Sequence, residues 1–162
     1  MNVMPEEGAY GRIVSTGQDT VEKVPHRRVP RSSLSLDEQK EIHAIILQET
    51  SSYTVIRAPR LISSNRYEME RIHDEKAIFL GCQGNVLEGV DRASLTFELT
   101  SLWKALYKKG YIALDFELYL QPDGRVIIVD FDKFKKHISG TVVEDGFFIH
   151  PCFPRGFKSL VL

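Results

Sequence analysis

The sequence predicts an α+β fold, and three observations carry the prediction. Two segments repeat apolar residues at helical spacing, one behind a capping signal and one ahead of a glycine stop. Several short runs of β-branched residues alternate with turn formers. The chain has 162 residues, 43% hydrophobic and 27% charged, which suits one domain with a real core and argues against a two-domain enzyme.

The elements follow in order. Gly8 to Val24 alternates polar and β-branched residues around Ser15-Thr16-Gly17-Gln18-Asp19, the pattern of two strands joined by a turn. Pro25 to Ser33 holds two prolines with His26, Arg27, Arg28 and Arg31 and reads as an exposed loop. Ser35 with Glu38 three residues later is a capping box, and Leu36, Ile42, Ile45 and Ile46 supply a stripe, so a helix is expected from about 36 to 48. Tyr53 to Ile56 and Arg60 to Ile72 read as two further strands completing a small sheet. His73 to Asp91 contains Gly81, Gly84 and Gly89 and has no period. Leu95, Leu99, Leu102, Trp103 and Leu106 mark a second helix, stopped by Gly110. Glu117 to Leu120, the turn Gln121-Pro122-Asp123-Gly124, and Val126-Ile127-Ile128-Val129 ending in Asp130 give a strand, a turn and an apolar strand.

Composition narrows the function classes. With 21 basic and 22 acidic residues and a net charge of -1, no global pull toward nucleic acid or an anionic membrane is encoded. The two cysteines, Cys82 and Cys152, cannot form the disulfide framework of a small secreted domain and lack zinc spacing. The start carries Glu6 and Glu7, not a basic segment before an apolar run, and no stretch of roughly 18 apolar residues occurs. A soluble, cytoplasmic protein is expected, with neither nucleic acid nor membrane as partner. His150-Pro151-Cys152 lacks a second ligand pair and reads as a surface turn. Lys133, Lys135, Lys136 and His137 read as a solvated basic run.

Certain residues stand out in sequence order. Gly8-Ala9-Tyr10-Gly11-Arg12-Ile13 matches the latter part of GxGxxGxV, with Glu6 in place of the first glycine. Val129-Asp130-Phe131-Asp132 stands in the place of DFG. Between them come Val21-Glu22-Lys23 where VAIK would end, an acidic helix, Tyr67-Glu68-Met69-Glu70-Arg71-Ile72, and a long helix before an Asp. This order resembles a protein kinase at reduced scale, over about residues 5 to 134. The resemblance implies a small β-rich N-lobe and hinge (about 5–72), a truncated helical C-lobe (73–134), and a tail (135–162) packing on that lobe or on a partner.

It also implies ATP and magnesium as cofactors, with a protein as substrate or docking partner. Gly8 and Gly11 would let backbone amides approach phosphate oxygens, against the bland reading of a permissive hairpin. Lys23 would meet the phosphates, held by Glu41 on the first helix; Glu38 is the rival partner but already serves the cap. Met69, Glu70 and Ile72 would form the hinge, its main chain on an adenine edge and Met69 at the back of the pocket; an edge strand is the alternative. Asp130, an acid ending an apolar strand, binds a cation or caps a turn, and the resemblance assigns it magnesium.

The catalytic loop departs from the pattern. Kinases carry HRDxxxxN, whereas here Gly110-Tyr111-Ile112-Ala113-Leu114-Asp115-Phe116-Glu117 has Ala113 and Leu114 where His and Arg belong. Counting back from the shared turn puts Glu117 in the asparagine place, a sensible second magnesium ligand. Asp115, the candidate for orienting a substrate hydroxyl, is then only two residues before it. Two function classes compete: a phosphotransferase moving the γ-phosphate of ATP to a protein hydroxyl, and an inactive pseudokinase that binds or scaffolds. A small α+β interaction domain without nucleotide is the third. Few residues follow Asp130 and no APE motif is among them. The apolar tail from Phe147 to Leu162 is therefore expected to cover the second helix or to dock on a partner.

Overall fold

In a computed structural model of the chain, residues 6–8, 11–25, 34–73, 77–79, 90–113, 116–131 and 134–136 are described. Along the chain run β1 (Glu6–Gly8), β2 (Gly11–Ser15), β3 (Thr20–Val24), α1 (Leu36–Thr50), β4 (Ile56–Arg57), β5 (Glu68–Glu70) and β6 (Ile78–Phe79). These are followed by α2 (Arg92–Lys108), β7 (Tyr111–Ala113), β8 (Glu117–Leu120), β9 (Val126–Val129) and β10 (Phe134–Lys136). The α+β class follows directly. No helix among the described residues is long and apolar enough to cross a membrane.

The alternating amino-terminal segment forms an antiparallel sheet of order β1-β2-β3-β5. Its β2–β3 turn is closed by Thr16 N–H donating to the Thr20 carbonyl at 3.2 Å and by a 2.9 Å bond between the two hydroxyls. Only Glu68–Glu70 of the expected 60–72 strand is continuous. Leu61 makes a single bridge to Met69, because the Ser63 hydroxyl bonds Asn65 and Arg66 and folds the intervening chain into a local turn. The expected Tyr53–Ile56 strand also lies elsewhere. β4 pairs in parallel with β9, Ile56 against Val126, in a second sheet of order β4-β9-β8-β6.

Ser35 caps α1, its hydroxyl accepting from Glu38 N–H at 3.2 Å, and Asp37 and Glu38 suit the positive end of the helix dipole. The helix continues two residues past the expected end. Asp91 caps α2 through Ala93 N–H at 3.1 Å, four residues ahead of Leu95, where the apolar stripe begins. Gly110 ends it with φ 92°, a conformation that disfavours a Cβ. In the β8–β9 hairpin Gly124 takes φ 83° and its N–H donates to Gln121 at 2.9 Å. β7 and β10, neither legible as strands, pair with each other.

One core joins these layers. Ile42 and Ile46 of α1, Leu95, Leu99, Leu102, Trp103 and Leu106 of α2, Ile56, Leu118, Val126, Ile128 and Phe131 form a single cluster, each side chain stabilising by about 1.5–3 kcal/mol on burial. The apolar stripe of α2, expected to await the tail, belongs to this core; the tail itself lies outside the described residues. Glu98 of α2 is buried, 6% exposed. Its carboxylate accepts from the N–H groups of Thr54 at 2.6 Å, Val55 at 2.9 Å and Ile56 at 3.0 Å, fixing the chain as it enters β4.

Candidate functional site

The register of the first sheet decides which side chains share a face. Lys23 lies opposite Ile13, Val21 opposite both Ser15 and Met69, and Gly8 opposite Gly11. Gly11 has the parity of Ile13, so the two glycines sit on the Lys23 face at the end of the β1–β2 ribbon, where no Cβ covers the backbone. Met69 is buried on this same face. Expected site residues from four strands thus share one face of the sheet.

Helix α1 meets that surface with polar groups one turn apart. The Lys23 ammonium donates to Gln39 Oε1 at 2.7 Å. Gln39 is fully buried, and its Nε2 donates to the Leu34 carbonyl at 3.1 Å, which fixes the amide with its oxygen toward the cation. Glu41, expected in this role, is exposed. It lies beside Tyr111, whose phenol is raised by burial and by the nearby Glu41 carboxylate. The correction is geometric. Residues 39 and 43 lie one turn apart on the inner face, and 41 is half a turn away from 39.

His43 continues that inner face. It is fully buried, with Nε2 2.6 Å from the Pro59 carbonyl and Nδ1 2.9 Å from the Tyr67 hydroxyl. A carbonyl only accepts, so Nε2 carries the proton and Nδ1 accepts from Tyr67. Burial, aided by the charge of Lys23 and opposed by the Pro59 bond, lowers its pKa to about 4. Its ring meets Phe131 edge-on, centroids 5.1 Å apart.

Asp130, immediately before Phe131, is the only non-glycine with positive φ, 72°, among the described residues. Asp tolerates the left-handed region better than most residues, yet such strain is uncommon outside turns and sites. Its Oδ1 lies 4.0 Å from the Lys23 ammonium, with side chains 37% and 12% exposed respectively. The pair is partly desolvated and its carboxylate is still reachable. Glu117 stands opposite Val129 at the strand end from which Asp130 departs, half-buried, with the Tyr119 hydroxyl 3.3 Å from its Oε2.

By backbone register, Asp130 and Glu117 lie at the same end of the β8–β9 hairpin. Among the described residues no group of three or more His, Cys, Asp or Glu could hold a metal ion.

The expected hinge is a paired strand. Met69 faces Val21, and Glu70 N–H donates to the Arg60 carbonyl at 2.8 Å, so that amide is engaged within the protein. The Glu70 side chain is structural. Its carboxylate takes both Arg57 terminal nitrogens at 2.9 and 3.3 Å and Arg60 N–H at 3.2 Å. Burial raises its pKa, but these bonds and charges outweigh that and hold it below its usual value. Arg57 also donates from Nε to Gln121 at 3.1 Å, tying β5 to the β8–β9 turn. Ile72 lies just beyond the strand, half-buried.

Asp115 lies outside the described residues, as do His150-Pro151-Cys152 and, of the basic run, Lys133 and His137; Lys136 pairs with Glu38 at 3.3 Å. Gln39 and His43 were missed in the sequence because a neutral amide and an apolar-face histidine carry no charge signal. Their i, i+4 spacing beside Ile42 and Ile46 is the trace they leave. Comparison with protein-family models, with curated proteins and with solved structures returns no match.

Proposed function

We propose that the chain binds ATP with magnesium between the sheet face carrying Lys23 and the strand end carrying Asp130, and acts as a protein-kinase-like phosphotransferase on a protein hydroxyl. The observation that carries the reading is the Lys23–Asp130 pair at 4.0 Å, with Asp130 held at φ 72°. A cation for phosphate and a carboxylate for a metal are brought together from elements far apart in the chain. Gly8 and Gly11 on the same face support a phosphate-covering ribbon. With Glu70 N–H engaged, an adenine edge would use the Glu70 carbonyl and the Ile72 main chain, with Met69 behind it.

Asp130 and Glu117 would hold magnesium, which when bound neutralises charge on the phosphates. Lys23 orients the phosphates and Gln39 orients Lys23. Asp115 would orient the substrate hydroxyl, where positioning dominates the rate. The test is incubation with labelled ATP and magnesium, with a generic protein acceptor. Incorporation that Asp115→Asn abolishes is the expected result; equal incorporation removes Asp115 from the mechanism.

A specific observation favours a second reading, the pseudokinase. The Lys23 anchor is a neutral amide, and the loop before Glu117 lacks the His, Arg and Asn of the resembled family. ATP binding without incorporation in either protein would select it, with the activity residing in a docked partner.

A further inference from the structure

The charge around Lys23 is unusual for a site proposed to hold a metal-bound polyphosphate. Among the described residues the one carboxylate within 4.0 Å of its ammonium is Asp130. Its close partner, Gln39, is neutral, fully buried and locked by the Leu34 carbonyl. The amide thus aims the ammonium without cancelling its charge. An acid at this position would aim it equally well and add a buried negative charge beside the phosphates.

We infer that Gln39 is a positioning residue for Lys23 whose neutrality loosens the metal requirement, so that the site takes the polyphosphate of a free nucleotide as well as that of its magnesium complex. This rests on the ATP-binding reading above. The physical basis is Coulombic. Free ATP must approach Lys23 against the repulsion of Asp130, which magnesium would offset when present. Each further anion in this partly desolvated site raises the repulsion, and one charge a few ångströms from a polyphosphate changes affinity by about tenfold or more. With Gln39 in place of an acid, Lys23 faces the carboxylate of Asp130 but no second one from α1, and its ammonium holds the free phosphates against one opposing charge fewer. The coupling between metal and nucleotide is correspondingly small.

Calorimetric titration of the full chain with ATP in EDTA, and with ATP plus magnesium, measures that coupling. For the parent, affinities in the two conditions should differ by no more than about tenfold. Gln39→Glu should weaken metal-free binding at least about tenfold while changing magnesium–ATP binding by less than about threefold. Gln39→Met, neutral but unable to accept from Lys23, should weaken both in the same proportion and leave their ratio unchanged, which separates aim from charge. Thermal melts confirm folding of each variant. If Gln39→Glu does not fold, the parent ratio and the Gln39→Met ratio still decide.

A parent that binds only with magnesium, or a Gln39→Glu protein with an unchanged ratio, overturns the inference and leaves the ATP-binding reading intact. A parent that binds neither form overturns that reading and this inference together.

Discussion

His43 on α1 meets Phe131 edge-on at 5.1 Å and 75°, so the residue that follows Asp130 is seated on the helix that also aims Lys23. Gln39 and His43 lie one turn apart, and through them one face of α1 sets the position of both halves of the Lys23–Asp130 pair. Movement of α1 would separate the cation from the carboxylate. The inner face of this helix is therefore the part of the fold most closely tied to the proposed site.

The buried histidine makes stability depend on pH. Its folded pKa, about 4, lies below the unfolded value of 6.5, so protonation favours the unfolded chain. The contribution is complete above pH 6.5 and is lost as pH falls toward 4, by about 3 kcal/mol at most. Glu70, also lowered, adds its loss only below 4.5. Urea midpoints should fall steadily between pH 6.5 and 4.5, and His43→Phe should flatten that slope even if it lowers the midpoint overall.

Glu98 offers a prediction independent of function. Its carboxylate serves three consecutive N–H groups, and Glu98→Ala would leave buried donors without an acceptor, at about 1–3 kcal/mol each and less than additively. A loss of about 3 kcal/mol or more is expected from denaturant unfolding. Glu98→Gln, which keeps one acceptor oxygen, should lose about half as much.

The Arg57–Glu70 fork should behave as a coupled pair. Both side chains are roughly four-fifths buried, 23% and 21% exposed, and the geometry is bidentate. A double-mutant cycle to alanine should give a coupling of about 1–2 kcal/mol, above the range of surface ion pairs. Arg57→Lys should recover little of it, since a lysine cannot span both oxygens and Gln121.

The hairpins, both helices and the Asp130 strand end were legible because period, caps and turn residues act locally. Ser35, Gly110 and Gly124 each announced a boundary. β7 and β10 were not legible, being three residues each and defined only by each other. The parallel β4–β9 pairing was hidden for the same reason, a partner far away in sequence. Of the proposed site, Asp130 stands out as an acid ending an apolar strand, whereas Lys23 and Glu117 are marked by their place in the kinase-like order. Glu41 and Glu38 were the partners weighed for Lys23, both charged, whereas helix phase turns the neutral Gln39 toward it.

Calorimetry with ATP and magnesium tests most directly whether Lys23 and Asp130 form the proposed nucleotide site. The parent should bind, and Lys23→Ala and Asp130→Ala should each lose affinity by about tenfold or more, with both variants still folded by thermal melt. Unchanged affinity in both variants, or no binding by the parent at millimolar ATP, would contradict it.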